Sequence, residues 1–289
     1  VGGDLNGDRL DDVIAFSAST GDLVFALSTG NTLNVQSTQV TTGQRFKTLT
    51  GDFNRDTLTD VVYVRHSTTP GDSRDEVVVR YSLGNTFGPE QIAGRINSTV
   101  GYDDFLVGDF NGDGFADITA RTTNNPNSTY WWGMVFNQNG DGYFKTPNLG
   151  GWSVTSNWQN FGLADFNNDG RSDIVSQQIT QGYWWTKLGQ SIFTTDQNGN
   201  PIQTVSTVQY YYGRWNVDIQ DWSNAVFGDF DGDGNDEILG VADREGFSPT
   251  VWVTKSYGLG TSNYGNLNFG TWTSMISGIR TLWSETTNS

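Results

Sequence analysis

Short apolar runs alternate along the chain with turns rich in Gly and Asn, and no segment shows a helical period with caps. In one representative stretch, an apolar run at 105–108 enters an acidic loop, and a strand-like segment leaves it at 118–122. A second apolar segment follows at 130–136, and the Asn-Gly-Asp-Gly sequence at 139–142 is typical of a hairpin turn before a fourth strand that begins at Tyr143. The pattern therefore predicts a unit of four short antiparallel strands.

Five acidic segments follow one another at intervals of 48 to 64 residues, which is the signature of a repeat architecture. Each segment reads Asp-x-Asn/Asp-x-Asp and has a further carboxylate four residues later; the first positions are Asp4, Asp52, Asp109, Asp165 and Asp229. Four-stranded sheets repeated in this way form β-propellers, in which each sheet is one blade. We therefore predict an all-β fold, with residues 1–289 forming a single β-propeller domain of five four-stranded antiparallel blades.

The C-terminal strand is expected to close the ring. An apolar entering strand precedes four of the five loops, whereas the first loop has only three residues before Asp4, which is too short for a strand. Residues 278–283 are similar in sequence to the entering strand at 45–49. We expect this last segment to supply the strand that the first blade lacks, and Val1 to be a processed or excised start.

The spacing of the acids indicates a cation loop. Oxygens at positions 1, 3 and 5 of a tight loop converge on one point, the carbonyl at position 7 adds a ligand, and the acid at position 9 closes the shell of a hard cation such as Ca²⁺. Position 6 is Gly in the last three copies, which permits a left-handed turn, whereas Arg9 and Thr57 stand there in the first two. The predicted metal ligands, including the position 7 residues that contribute their carbonyls, are Asp4, Asn6, Asp8, Leu10, Asp12, Asp52, Asn54, Asp56, Leu58, Asp60, Asp109, Asn111, Asp113, Phe115, Asp117, Asp165, Asn167, Asp169, Arg171, Asp173, Asp229, Asp231, Asp233, Asn235 and Glu237.

Two other interpretations compete with the cation loop. Asp-Asn-Gly strings are ordinary turn chemistry, but five copies that all keep the acid at position 9 favour a metal site. An EF-hand requires a Glu at position 12 between two helices, whereas no copy has that Glu and the flanks are β-branched. Since carboxylates crowded into nine residues repel one another, we expect up to five bound Ca²⁺ ions.

The segment GDFNGDGFAD that begins at Gly108 resembles the FG-GAP, or VCBS, repeats of the integrin α-subunit propeller, of bacterial secreted proteins and of a fungal propeller lectin. All five copies match this pattern, and together they cover essentially the whole chain. The resemblance implies a calcium-binding β-propeller in a secreted or cell-surface protein. It leaves the function open, because the family includes adhesins, lectins, toxin subunits and accessory domains of enzymes.

Aromatic residues recur in phase with the loops. Tandem aromatic residues stand on equivalent third strands, and a Gly-x-Trp sequence recurs near the end of the last three units. These rings either fill the wedge between neighbouring blades or stack on sugars in equivalent pockets between blades, because an aromatic face complements the C–H face of a pyranose. The candidate ligand-binding residues are Trp132, Trp185, Trp252, Trp152, Trp215 and Trp272.

Charge and composition exclude several functions. Acids outnumber bases 32 to 16, and this net charge of -16 argues against nucleic acids and anionic membranes as partners. No stretch of 18 apolar residues exists, so we expect no membrane insertion. The chain has no Cys and a single His, which excludes disulfides, thiol catalysis and multi-His metal sites.

We predict no catalytic residues, because a Ser-His-Asp triad would have to use His66 and no nucleophile-elbow motif accompanies it. The chain is therefore expected to be a calcium-stabilised binding module, secreted or on the cell surface, with glycans as its ligands. The alternatives are a protein-binding adhesion or toxin-assembly module, and a non-catalytic domain of a larger secreted enzyme.

Overall fold

The computed structural model describes residues 1–17, 22–36, 45–123, 128–136, 148–153, 156–195, 201–215, 221–243, 249–256 and 264–271. Within these ranges the strands form five four-stranded antiparallel sheets, and in each sheet the spatial order of the strands follows the chain. Five such sheets are the blades of a β-propeller. The predicted fold class and blade number are therefore confirmed. No helix in these ranges is long and apolar enough to cross a membrane.

The strands are numbered in chain order, four to a blade. Blades one and two comprise β1 (Gly2–Gly3), β2 (Asp12–Phe16), β3 (Leu23–Ser28), β4 (Leu33–Val35), β5 (Arg45–Gly51), β6 (Asp60–His66), β7 (Asp75–Arg80) and β8 (Gln91–Ile96). A short 3₁₀ turn (Ser98–Val100) precedes blade three, which comprises β9 (Tyr102–Gly108), β10 (Asp117–Thr122), β11 (Ser128–Met134) and β12 (Asn148–Ser153). Blades four and five comprise β13 (Trp158–Ala164), β14 (Asp173–Gln178), β15 (Tyr183–Thr195), β16 (Pro201–Arg214), β17 (Asp221–Gly228), β18 (Glu237–Asp243), β19 (Thr250–Ser256) and β20 (Tyr264–Thr271).

The first blade differs from the expectation that it lacks a first strand. Gly2 and Gly3 form β1 and pair with Val13 and Asp12, and the backbone N–H of Ile14 donates to the carbonyl of Val1 at 2.8 Å. Two residues are enough to form this strand, because both of them pair with residues of β2. Residues 272–289, which include the proposed closing strand, and the turn at 139–142 lie outside the described residues, so those two expectations stay predictions.

The chain divides into two compact units. The first contains Val1–Val154 and Gly189–Thr207, and its core lies between consecutive blades. All six residues of β7 are buried, as are the first six of β6. Val61 packs with blade one, whereas Val62 and Val77 pack with blade three. Such β-branched runs suit a strand that is covered on both faces. The core residues between blades two and three include Phe53, Val62, Val64, Val77, Val79, Phe105, Ile118 and Met134.

The second unit contains Thr155–Leu188 and Val208–Ser289, and large aromatic residues fill its core between blades four and five. Trp215 packs against β18 at Gly240, where a Cβ atom would lie 2.3 Å from Cη2 of the indole. Only glycine can occupy this position without displacing the ring. The other large residues of this core are Phe166, Trp184, Leu188, Tyr212 and Ile238.

Candidate metal loops and aromatic sites

Each acidic loop connects the first two strands of its blade, and its own backbone orients the acids. In the third loop, Oδ1 of Asp109 accepts hydrogen bonds from the N–H groups of Gly112 and Asp113 at 2.7 and 3.2 Å, and Oδ2 accepts from Gly114 at 2.7 Å. Oδ1 of Asn111 accepts from Asp113 at 3.0 Å. The side chains of Asp109 and Asn111 therefore turn into the loop, while the convergence of positions 1, 3 and 5 on one cation stays a prediction.

The contact between the first carboxylate and position 6 recurs in all five loops. The position 6 N–H donates to Oδ2 at position 1 over 2.8 Å in loops one, two and four, 2.7 Å in loop three and 2.9 Å in loop five. Position 6 adopts a left-handed backbone in every copy, including Arg9 at φ 68° and Thr57 at φ 72°. The loop conformation is therefore kept even where glycine is absent.

Position 4 also adopts a left-handed backbone in all five loops, which the sequence analysis missed. The φ angles are 80° at Gly7, 62° at Arg55, 75° at Gly112, 54° at Asn168 and 78° at Gly232. Gly and Asn tolerate this region best, and they occupy four of these five positions. This enrichment was the signal in the sequence that could have revealed the second left-handed residue.

The acid at position 9 has a structural role that the sequence did not reveal. This residue is buried in every blade, and one of its oxygens accepts the backbone N–H of position 2 at 2.9 to 3.1 Å. In the first three blades the other oxygen accepts a backbone N–H at the end of the third strand, from Ser28, Ser82 and Phe136 at 2.7, 2.8 and 2.9 Å. The position 9 acid thus ties the loop to the third strand as well as being a candidate ligand.

Burial has an electrostatic consequence for these acids. Desolvation raises the pKa of Asp60 to about 7 and the pKa of Asp117 well above its ordinary value, although backbone N–H donors act in the opposite direction. The acids at positions 1 and 5 of the same loops add to the rise by charge repulsion. A nearby cation would favour the charged form of both groups.

Within each unit, neighbouring loops are joined by a repeated backbone hydrogen bond. The carbonyl at position 1 of one loop accepts from the N–H at position 8 of the next loop, and the pairs are Asp4–Thr59, Asp52–Ala116 and Asp165–Asp236, at 2.7, 2.8 and 2.8 Å. The apolar residue at position 2 packs at the same junction; Phe53, for example, lies 4.7 Å from Phe136 of the next blade between ring centroids. The acidic loops therefore also hold consecutive blades together.

The donor set of the loops fits a hard divalent cation, because it consists of carboxylate, amide and carbonyl oxygens. Two oxygens bound to one Ca²⁺ ion lie at most about 5 Å apart. Among the described residues, one group of acids meets this limit: ligand atoms of Asp229, Asp231 and Glu237 in loop five lie within 4.8 Å of one another.

Loop five also contains an ammonium group. Nζ of Lys255 donates to the Oδ2 atoms of Asp231 and Asp233, and it lies 3.9 Å from Oε1 of Glu237. The hydrogen bond from Lys255 is the main reason why the pKa of Asp233 falls to about 2. The point on which these oxygens converge is therefore already next to a positive charge.

The candidate tryptophans divide into two groups. Trp132, Trp185 and Trp252 hold the same register, opposite Ala120, Ser176 and Gly240 on the second strand of their blades, and all three are half-buried.

The tryptophans of the Gly-x-Trp sequences are buried against neighbouring side chains instead of being half-buried. Trp152 is 3% exposed, and its ring lies edge-on to Trp131 at 6.3 Å. Trp215 is 0% exposed, and its indole N–H donates to Oγ1 of Thr254 at 2.7 Å. These observations support the packing role for Trp152 and Trp215, while Trp272 lies outside the described residues.

The half-buried rings have aromatic or apolar surroundings. Trp132 lines a small pocket where blades two and three meet, together with Val77, Ile96, Tyr102, Phe105, Ile118, Ala120 and Met134. On blade four, Trp185 lies edge-on to Tyr211 with 5.5 Å between ring centroids, and Tyr211 contacts Tyr183 at 5.7 Å. Both sites have half-buried aromatic rings, and the Trp132 pocket has an almost wholly apolar lining.

A family model described as an FG-GAP-like repeat matches residues 109–176. The matched segment begins at Asp109, the first residue of loop three, and extends through loop four into β14. The FG-GAP-like repeat thus covers two successive acidic loops, and the family resemblance is confirmed for this part of the chain. No curated protein matches the chain.

Proposed function

We propose that this chain is a secreted or cell-surface, calcium-stabilised binding module that recognises glycans. A β-propeller with an FG-GAP-like repeat has a binding-module fold. The finer proposal depends on one observation above all: three half-buried tryptophans occupy the same register position in three successive blades.

The proposed calcium role is supported by the chemistry of the loops. In the third loop, carboxylate and amide groups turn into one loop, and backbone N–H groups donate to the carboxylate without removing its charge. The chain carries a net charge of -16, so bound divalent cations would reduce a large repulsion. Asp109, Asn111, Asp113 and Asp117, with the carbonyl of Phe115, are the residues that would hold Ca²⁺ in the third loop.

The proposed glycan role is supported by the shape and chemistry of the tryptophan sites. A rigid aromatic ring offers a large contact area with little loss of conformational entropy. A polar side chain adjoins the ring on blade five, where Oγ1 of Thr250 accepts from the indole N–H of Trp252 at 2.8 Å. Because the site recurs, several weak contacts would add up on a surface coated with glycans.

A glycan array probed in excess calcium and in excess EDTA tests this function. We expect binding of a defined sugar class, and we expect Trp132→Ala and Trp185→Ala each to weaken it by at least about tenfold, the scale of a lost aromatic anchor. Trp152→Phe is the matched control, because this buried ring packs against Trp131 and its replacement should leave sugar binding unchanged.

Two results would contradict the glycan proposal. One is that the parent protein binds no sugar under either condition. The other is that Trp132→Ala and Trp185→Ala bind a sugar as tightly as Trp152→Phe does. A protein captured through the same blades would then support the adhesion or toxin-assembly alternative.

A further inference from the structure

The fifth loop differs from the other four at three places at once. Position 3 is Asp231 where the others have Asn, and position 9 is Glu237 where the others have Asp. The third difference lies on the third strand: one step beyond the paired residues Ile238 and Thr254, Lys255 stands opposite Glu237. The same register in the other blades places an apolar or aromatic residue there, namely Leu27, Tyr81, Val135 and Leu188.

These differences compensate one another in charge. Loops one to four each carry three carboxylates at the ligand positions, and loop five carries four. Counting each carboxylate as one negative charge, the ammonium of Lys255 returns loop five to the formal charge of -3 that the acids of each other loop carry. The one loop with an extra acid is thus the one loop with a lysine on the facing strand.

The geometry places the lysine where a metal ion would lie. Its Nζ atom donates to carboxylate oxygens at positions 3 and 5 and lies 3.9 Å from the oxygen at position 9. The side chain is 15% exposed, so the stem is largely covered and the ammonium reaches the acids from the third strand. The oxygens of Asp229, Asp231 and Glu237 converge within 4.8 Å of one another beside this group.

We propose that Lys255 is the resident cation of the fifth loop and that this loop takes no divalent cation in the native protein. The tethered ammonium supplies hydrogen bonds and positive charge, and it occupies ligand atoms that a metal ion would need. The count of bound Ca²⁺ ions then becomes four instead of five. This count rests on the calcium role proposed above for the other loops, whereas the structural role of Lys255 does not.

The variant Lys255→Met tests the proposal, because it removes the ammonium and keeps an unbranched side chain. The measurement is the number of bound metal ions. Native mass spectrometry in calcium should find four Ca²⁺ ions on the parent protein and five on Lys255→Met. Leu188→Met is the matched control at the equivalent register of blade four, and it should bind four. Five ions on the parent protein, or no additional ion on Lys255→Met, would overturn the proposal.

A second measurement separates failure of this proposal from failure of the calcium role. If the parent binds no Ca²⁺, the calcium role is wrong, but the melting temperature in EDTA still tests Lys255. Lys255→Met should then melt several degrees below Leu188→Met, because four carboxylates lose their ammonium. Adding Asp231→Asn to Lys255→Met should recover part of this loss. Equal melting temperatures for the two Met variants in EDTA would overturn the role of Lys255.

Discussion

The loop residues at positions 4 and 6 show how a shared conformation can override local preference. Arg9, Arg55 and Thr57 adopt positive φ angles that an L-residue reaches only at a cost of about 1–2 kcal/mol. The hydrogen bond from position 6 to the first carboxylate is kept in each case. The loop is therefore set by its acids, and glycine only makes it easier to form.

Thr57→Gly should raise the free energy of unfolding by about 0.5–1 kcal/mol, because relief of the left-handed strain exceeds the added freedom of the unfolded chain. Thr57 is exposed, so its side chain contributes little packing. Chemical denaturation measures the change, and Thr57→Ala, which keeps the strained backbone, serves as the control. A Gly variant that is less stable than the Ala variant would show that position 57 is not strained.

At the scale of elements, the position 9 acid decides how each loop is attached to its blade. Asp117 is fully buried, and its two oxygens accept the N–H groups of Phe110 and Phe136 at 3.1 and 2.9 Å. An amide at this position would direct its NH₂ group at a backbone donor. The acid therefore joins the loop to the third strand before any metal is considered.

Asp117→Asn should lower the free energy of unfolding in EDTA by about 1–3 kcal/mol, the cost of leaving a buried backbone donor unpaired. Asp113→Asn removes a carboxylate from the same loop at a half-buried position, and in EDTA it should have the smaller effect. Urea unfolding of both variants measures the difference. If Asp113→Asn is the more damaging change in EDTA, the attachment role of Asp117 is wrong.

The strands were predictable where the pattern was local. Alternating apolar runs and turns located β9, β10 and β11 to within a few residues, since such runs have few other ways to be buried. The two-residue strand Gly2–Gly3 was missed, because nothing in its own sequence indicates a strand. It is recognisable only by its pairing with Asp12 and Val13. The second role of the position 9 acid was hidden for the same reason: its backbone donors lie up to 22 residues away in sequence.

At the scale of the whole molecule, the repeat made the fold predictable while the site was only partly so. The acid positions could be taken from spacing, and in the third loop Asp109 and Asn111 both accept hydrogen bonds from the loop backbone. That these side chains bind a metal ion stays a prediction. The ammonium of Lys255 could not be anticipated, because it reaches loop five from a strand more than 20 residues away. Burial likewise separates Trp152 and Trp215 of the Gly-x-Trp sequences from the half-buried Trp132, Trp185 and Trp252 of the third strands, although both sets recur in phase with the repeat.

The central claim is that cations bound in the acidic loops stabilise this propeller, and thermal unfolding in excess calcium and in excess EDTA tests it most directly. Metal that binds only the native state stabilises it by RT ln(1 + [L]/Kd) per site, which is about 2.7 kcal/mol at one hundred times Kd. We predict a melting temperature that is lower in EDTA by many degrees, that rises with calcium concentration, and that responds less in Asp113→Asn. An identical melting temperature in calcium and EDTA at matched ionic strength would contradict the account.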